Sequence, residues 1–208
     1  VEDQLRSQGL LPASDAPAAA SMPALSADQA LVLLREIPAT DNRTGVWDRI
    51  RKEAKIDDVL ARLARLVEEA PRNPDAHVEL GLAYVQKMLA MAEGAEKARV
   101  GEQVDAAFTA ALEADPNHWH ARFRKAEGLS YWPPLSGKSG EAIHHFETLV
   151  RQQDSTSPRP EEARTYLYLG NLYEQQGQFD KAAAIWAKGI QRHPGDSGLV
   201  HKQQSSRR

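Results

Sequence analysis

Three clusters in this sequence bring chemically capable residues close together. Gly137, Lys138 and Ser139 have the order found at the end of a phosphate-binding loop, where backbone N–H groups and a lysine cradle phosphate oxygens. That chemistry also needs a glycine five positions before Gly137 and a buried strand leading into the loop. Trp132 holds the earlier position and no strand pattern precedes it, so the stretch reads as an exposed loop. His118 with His120, and the adjacent His144 and His145, are metal-ligand types, but at these spacings a helix points the imidazoles to different faces. With no cysteine in the chain, thiolate catalysis, disulfides and cysteine-based zinc sites are excluded together. The run His118, Trp119, His120, Arg122, Phe123, Arg124, Lys125 mixes rings and cations as a single-strand nucleic-acid platform would. It covers only a turn or two of helix, and the net charge of −3 gives no general attraction to a phosphate backbone. No serine, histidine and aspartate constellation, carboxylate pair or cofactor motif falls at useful spacing. The expectation is no catalytic residue, no metal, no cofactor and no nucleic acid.

The elements that would carry such residues are helices throughout. A chain of 208 residues, 41% hydrophobic and 26% charged, is long enough for one domain with a core and a tail. Its longest apolar stretch, Ala30 to Leu34, is far short of the roughly 20 residues a bilayer-crossing helix needs, so no membrane insertion of this chain is expected. It begins with Val1 rather than Met, which points to an upstream segment that was cleaved, trimmed or left out; a signal peptide or membrane anchor is one such segment. Residues 1–39 read as a proline- and alanine-rich linker, with Pro12, Pro17 and Pro23 interrupting regular structure and one short helix after Ser26, whose pairing with Gln29 resembles a capping box. From Thr40 onward the period is 3.6 residues. The expected helices lie near 44–54, 56–70, 75–92, 96–114, 118–131, 139–153, 161–176 and 179–192, with prolines at the joints. Residues 196–208 are expected to be a flexible tail.

Helices in pairs with proline after the second raise the question of a repeat. Tyr166, Leu169, Gly170 and Tyr173 fall on one helix, Ala182 and Trp186 on the next, and Pro194 follows. This resembles the tetratricopeptide repeat in type and spacing. Small residues stand where two antiparallel helices cross, and large ones fill the space around them. Gly189 stands where the family usually has Ala, a change worth about 0.5–1 kcal/mol of helix propensity. The skeleton recurs as His77, Leu80, Gly81, Tyr84, Val104, Phe108 and Pro116, with about eleven extra residues around Met88 to Val100 relative to the usual repeat length. A weaker copy has Lys125 and Ala126 for the Leu and Gly, then Ala142 and Phe146. Residues 40–70 are either a fourth, distorted repeat, with Trp47 in a glycine slot, or a cap on the stack.

The resemblance covers residues 40–195 and implies an all-α, right-handed solenoid of three to four repeats, with a non-enzymatic role as adaptor, scaffold or assembly subunit. In the family the first helices of successive repeats line a concave groove that takes a segment of a partner protein. By register this assigns to the partner Val78 and Leu82 from one repeat, His120, Phe123, Arg124, Glu127 and Tyr131 from the next, and Leu167, Tyr168, Asn171 and Gln175, with Arg164 and Glu174 beside them, from the last. Leu82 and Glu127 stand where a carboxylate clamp for chaperone tails would need basic or amide groups, which argues against that ligand. Trp132, in the loop before Gly140, and Met88 and Met91, at the tip of the lengthened repeat, form secondary candidate interfaces. Apolar solenoid ends also permit a homo-oligomer. Periplasmic repeat domains of cytochrome-assembly factors have a similar layout, so subunits of a membrane-associated complex are one class of partner, and a periplasmic or membrane-tethered location one setting, by analogy of architecture alone. The alternative is a helical ligand-binding protein or enzyme with a site near Trp132, His144 and His145.

Overall fold

A computed structural model describes residues 25–37, 43–52, 55–132 and 136–205; the proline-rich expectation for residues 1–24 lies outside them. The described residues contain ten α-helices, one 3-10 turn and no strand. They divide into two compact units, up to Ala114 and from Asp115.

The N-terminal unit starts with α1, Ala27–Glu36. Ser26 caps it as its sequence suggests: its Oγ accepts from the Gln29 N–H at 3.2 Å, and Gln29 Oε1 accepts from the Ser26 N–H at 3.0 Å. Helices α2, Thr44–Lys52, α3, Ile56–Glu69, α4, Pro74–Leu89, and α5, Ala95–Ala114, follow. Asn73 accepts from the N–H groups of Asp75 and Ala76, and Pro74 takes the first helical position, where no donor is needed. Helices α4 and α5 form the long hairpin expected around Gly94, and its closest approach explains Gly81. A Cβ there would stand 2.6 Å from Phe108 Cε1.

One expectation for this unit needs correction and one choice is narrowed. The short helix is not part of a linker: Leu25, Ala30, Leu31, Leu33 and Leu34 are buried, and α1 packs on α3. Of the two alternatives for residues 40–70, a distorted repeat and a cap, the packing of the described residues favours the cap. Helix α3 packs between α1 and α4, while α2 touches α1 and α4 and buries Val46, Trp47 and Ile50. The bulky indole of Trp47 therefore sits in a cap rather than in a repeat crossing. Arg43, 7% exposed, anchors that cap by donating to the Ile37 carbonyl at 2.7 Å and to both carboxylate oxygens of Glu79 on α4.

The C-terminal unit contains α6, Trp119–Ser130, α7, Lys138–Asp154, the 3-10 turn Pro160–Glu162, α8, Ala163–Gln175, α9, Phe179–Arg192, and α10, Ser197–Ser205. His118 caps α6, its Nδ1 accepting from the Ala121 N–H. Helices α6 and α7 pair, as do α8 and α9, and α8 also packs on α6 and α7. Gly177 turns α8 into α9 with φ of 72°, the left-handed region that glycine enters without steric cost. The expected core residues Tyr166, Leu169, Tyr173, Ala182 and Trp186 all belong to one buried cluster with Phe146 and Leu149. A Cβ at Gly170 would overlap the Trp186 indole, so the small residue is required by the crossing. At the far end of α7, Arg192 donates to the carbonyls of Gln153 and Thr156, placing a cation on a helix C-terminus.

The segment read as a flexible tail is instead helical over Ser197–Ser205, with Leu199 fully buried and Lys202 paired to Glu174 at 2.7 Å. Its start follows Asp196, whose Oδ1 accepts from the Leu199 N–H. Helix α10 also explains Gly189. A Cβ at that position would stand 2.6 Å from Tyr166 Cβ and 3.0 Å from Leu199 Cδ1, so space rather than propensity decides the residue. Gly189→Ala is therefore expected to destabilise the protein by about 1–3 kcal/mol through overpacking, against the gain that helix propensity alone would give. Urea denaturation of the two proteins measures the sign directly.

Candidate functional site

The residues that register assigned to a partner divide into three groups. In the N-terminal unit Val78 and Leu82 are 2% and 8% exposed, so both belong to the packing of α4 and offer a partner nothing. In the C-terminal unit Phe123 is 1% exposed. Its ring stacks on Trp119 at 5.0 Å and meets Phe146 and Tyr168 edge to face, which makes it a core residue rather than an anchor. Leu167 is half-buried against the start of α10 at Gly198, a contact that the tail reading left out.

The third group is brought together on adjacent faces of α6 and α8. Trp119, Phe123 and Glu127 of α6 and its C-cap Tyr131 recur every four positions, a stripe that winds slowly round the helix and brings Phe123, Glu127 and Tyr131 against Tyr168 of α8. Glu127, its side chain 13% exposed, is the hub. Its Oε2 accepts from Arg124 at 2.8 Å, and its Oε1 accepts from Arg164 at 2.9 Å and from the Tyr168 hydroxyl at 2.8 Å. The Tyr168 and Tyr131 hydroxyls lie 3.2 Å apart, and Tyr131 is exposed. Burial, the contact with Tyr131 and the Glu127 charge all raise the Tyr168 hydroxyl above its ordinary pKa, so it stays protonated and donates. Arg164 also lies over the Phe123 ring at 5.0 Å. Arg159, over the Trp119 ring at 5.4 Å and paired with Glu162 at 2.8 Å, extends the row. Sequence reasoning missed Arg159 and Trp119 as parts of this surface, although the four-residue spacing from Trp119 to Tyr131 carried the signal. Of the remaining assigned residues, His120 and Asn171 are half-buried and Gln175 is exposed.

Glu127 is thus fully engaged within the protein. It fixes two guanidiniums and a phenol in place, and what faces outward is Tyr131, the N–H edges of the arginines and Gln175. Such a surface can hydrogen-bond, pair with charge and bury one aromatic ring; none of its groups is poised as nucleophile or base.

The other candidates are less complete. At the tip, Met88 and Met91 are half-buried, Met88 lying against Gly101 of α5, while the exposed apolar residue is Leu89. Trp132 is 42% exposed at the end of α6. Among the described residues no hydrogen bond or ring contact joins it to His144 or His145, and no group of three or more His, Asp or Glu side chains converges as a metal site would require. His145 is occupied otherwise. Its Nδ1 lies 3.2 Å from Arg122 Nη1, which can only donate, so the imidazole accepts there and its Nε2 faces Glu141 at 3.8 Å.

Two histidines make the stability of this unit pH-dependent. Burial, reinforced by the charges of Arg122 and Lys125, pushes His145 down to about 4. Burial, followed by Arg124 and His118, does the same to His120. In the unfolded chain both would titrate near 6.5. A folded-state pKa below the unfolded value means the unfolded chain binds more protons between the two. The stabilising effect of keeping these imidazoles neutral is therefore complete above about pH 6.5 and is lost as pH falls toward about 4. The urea midpoint is expected to be lower at about pH 5 than at about pH 7.5, and a His120→Gln, His145→Gln variant is expected to show a smaller difference.

No curated protein matches the chain. Several solved structures resemble it. TTC0263, a thermophilic TPR protein of Thermus thermophilus, aligns with a TM-score of 0.60 and 19% identity over 86% of this chain and 88% of that one. MamA aligns with a TM-score of 0.56 and 16% identity over 77% and 81%. The human IFIT1 dimer with PPP-AAAA aligns with a TM-score of 0.61 and 18% identity over 97% of this chain and 43% of that one. At these identities the likeness concerns the fold. A tetratricopeptide repeat family model matches residues 136–197, the stretch that contains the Gly170 and Trp186 crossing. Residues 136–197 thus match the tetratricopeptide repeat, and the fold of the described residues is like that of solved tetratricopeptide-repeat proteins.

Proposed function

We propose that the chain is a non-enzymatic adaptor or assembly subunit that docks a segment of another protein against the α6 and α8 face. What carries this reading is the Glu127 hub: a largely buried carboxylate, satisfied by Arg124, Arg164 and Tyr168, holds two guanidiniums ready beside the exposed Tyr131 ring. Tyrosine and arginine dominate binding energy at interfaces because they bury much surface or make several hydrogen bonds with few rotamers to freeze. Here part of that ordering cost is already met in the free protein, which favours affinity.

The experiment compares capture of protein from the source extract by the parent chain and by a Tyr131→Ala, Arg164→Ala variant. In this variant Glu127 keeps Arg124 and Tyr168, so folding is preserved and can be verified by circular dichroism. A captured protein, once identified and purified, is expected to bind the variant about tenfold or more weakly. Equal binding by both would move the interface to the Leu89 tip or Trp132, and no protein bound by the parent would contradict the module reading.

A further inference from the structure

The α6 and α8 face is layered by charge. Its carboxylates lie low, Glu162 2% and Glu127 13% exposed, while Arg124, Arg164 and Arg159 rise above them at 24%, 45% and 50%. Beneath the arginines runs an aromatic floor, the Trp119 and Phe123 rings stacked at an interplanar angle of 13°. Arg159 lies over the first ring and Arg164 over the second. A guanidinium resting on a ring offers its partners the N–H groups around its edge, because all its donors lie in its plane. Those donors are only partly used: Arg164 gives Nη2 to Glu127 and Arg124 gives Nη1. Glu161, 25% exposed, lies 3.6 Å from Arg159 Nη1 at the rim of this row.

We propose that the segment docking here is acidic: an extended stretch of partner protein whose Asp or Glu side chains meet the outward edges of Arg124, Arg164 and Arg159, with one apolar or aromatic residue against Tyr131. The inference rests on the docking reading above and adds the chemistry of the occupant. The balance of charge agrees with it. Residues 115–208 hold 13 Lys and Arg against 10 Asp and Glu, whereas residues 1–114 hold 13 against 19. The C-terminal unit is thus the less repellent of the two for an acidic segment. Nucleic acid fits the same cations less well, because stacking successive bases needs several open ring faces and here Tyr131 offers one, Phe123 being 1% exposed and Trp119 lying under Arg159.

The test uses the full chain and an array of short peptides, each made in three forms that differ only in carrying Glu, Gln or Lys at several positions around one aromatic residue. The Glu forms are expected to bind about tenfold or more tightly than their Gln forms, with the advantage shrinking at high salt. In an Arg124→Gln, Glu127→Gln, Arg164→Gln variant, which removes the pair charges together and leaves no carboxylate unpaired, the preference for Glu should fall to the part that Arg159 supplies. If that variant fails to fold, Arg159→Gln, at an exposed position, is expected to reduce the preference without removing it. Gln or Lys forms binding as well as Glu forms would overturn the proposal, as would a Glu preference undiminished in the folded variants. Tighter binding of single-stranded DNA, or of a phosphoserine peptide over its Glu counterpart, would also overturn it. Neutral peptides that bind the parent and fail on Tyr131→Ala would leave the docking face standing while the acidic reading falls; no peptide bound by the parent would remove both.

Discussion

Replacing Trp186 with Ala is expected to lower stability by about 3–5 kcal/mol, the cost of removing a fully buried large aromatic side chain and leaving a cavity. Trp186 is 1% exposed and fills the space left open by Gly170, while Lys202 of α10 lies 5.0 Å from the centre of its ring. Its removal therefore strikes the α8 and α9 crossing and the packing of α10 at once. Because a globular domain is commonly stable by only about 5–15 kcal/mol, the variant should show a clearly lower urea midpoint by circular dichroism. A loss below about 1 kcal/mol would mean that the crossing does not depend on the indole as the geometry requires.

Phe123→Ala is expected to cost a similar amount, about 3–5 kcal/mol, and this separates two roles for the residue. As an interface anchor it would weaken binding and leave stability unchanged. As a core ring, stacked on Trp119 and packed against Phe146 and Tyr168, it should lower stability first, and any loss of binding would follow from the disturbed floor beneath Arg164. Denaturation at fixed pH decides between them. The same reasoning makes Tyr131, at 73% exposure, the better probe of binding, since its removal disturbs only a hydroxyl contact with Tyr168.

The distance between these roles shows what the sequence could reveal. Its glycines and large residues at the repeat crossings were legible because the pattern encodes a contact within one hairpin: Gly170 against Trp186, and Gly81 against Phe108. Helical period also separates an apolar side from a polar one, and it placed the helices within a few residues of their observed ends. It does not say which neighbouring element covers a given side. Phe123 and Arg124 are successive residues, yet the first faces α8 and Phe146 while the second reaches the surface. Choosing between them needs the position of α8, which no local spacing supplies. Gly189 and Leu199 are a second case. Each made sense only once α10 was seen to fold back onto Tyr166, and a nine-residue helix with mixed polarity carries little periodic signal. Trp47 in a glycine slot leaves a distorted repeat and a cap both open, because the arrangement it belongs to, with α3 between α1 and α4, depends on contacts between elements distant in sequence.

The central claim is that the α6 and α8 face is where another protein docks, and site-specific photo-crosslinking tests it most directly. A photoreactive phenylalanine analogue is placed singly at Tyr131, at Leu89 on the tip and at Phe179 on α9, all three exposed positions that tolerate a large ring. Each chain is then irradiated in the source extract. The account predicts that position 131 gives a discrete protein adduct, that this adduct disappears in the Arg164→Ala background, and that positions 89 and 179 do not give it. A discrete adduct from position 89 or 179 with none from 131 would contradict it.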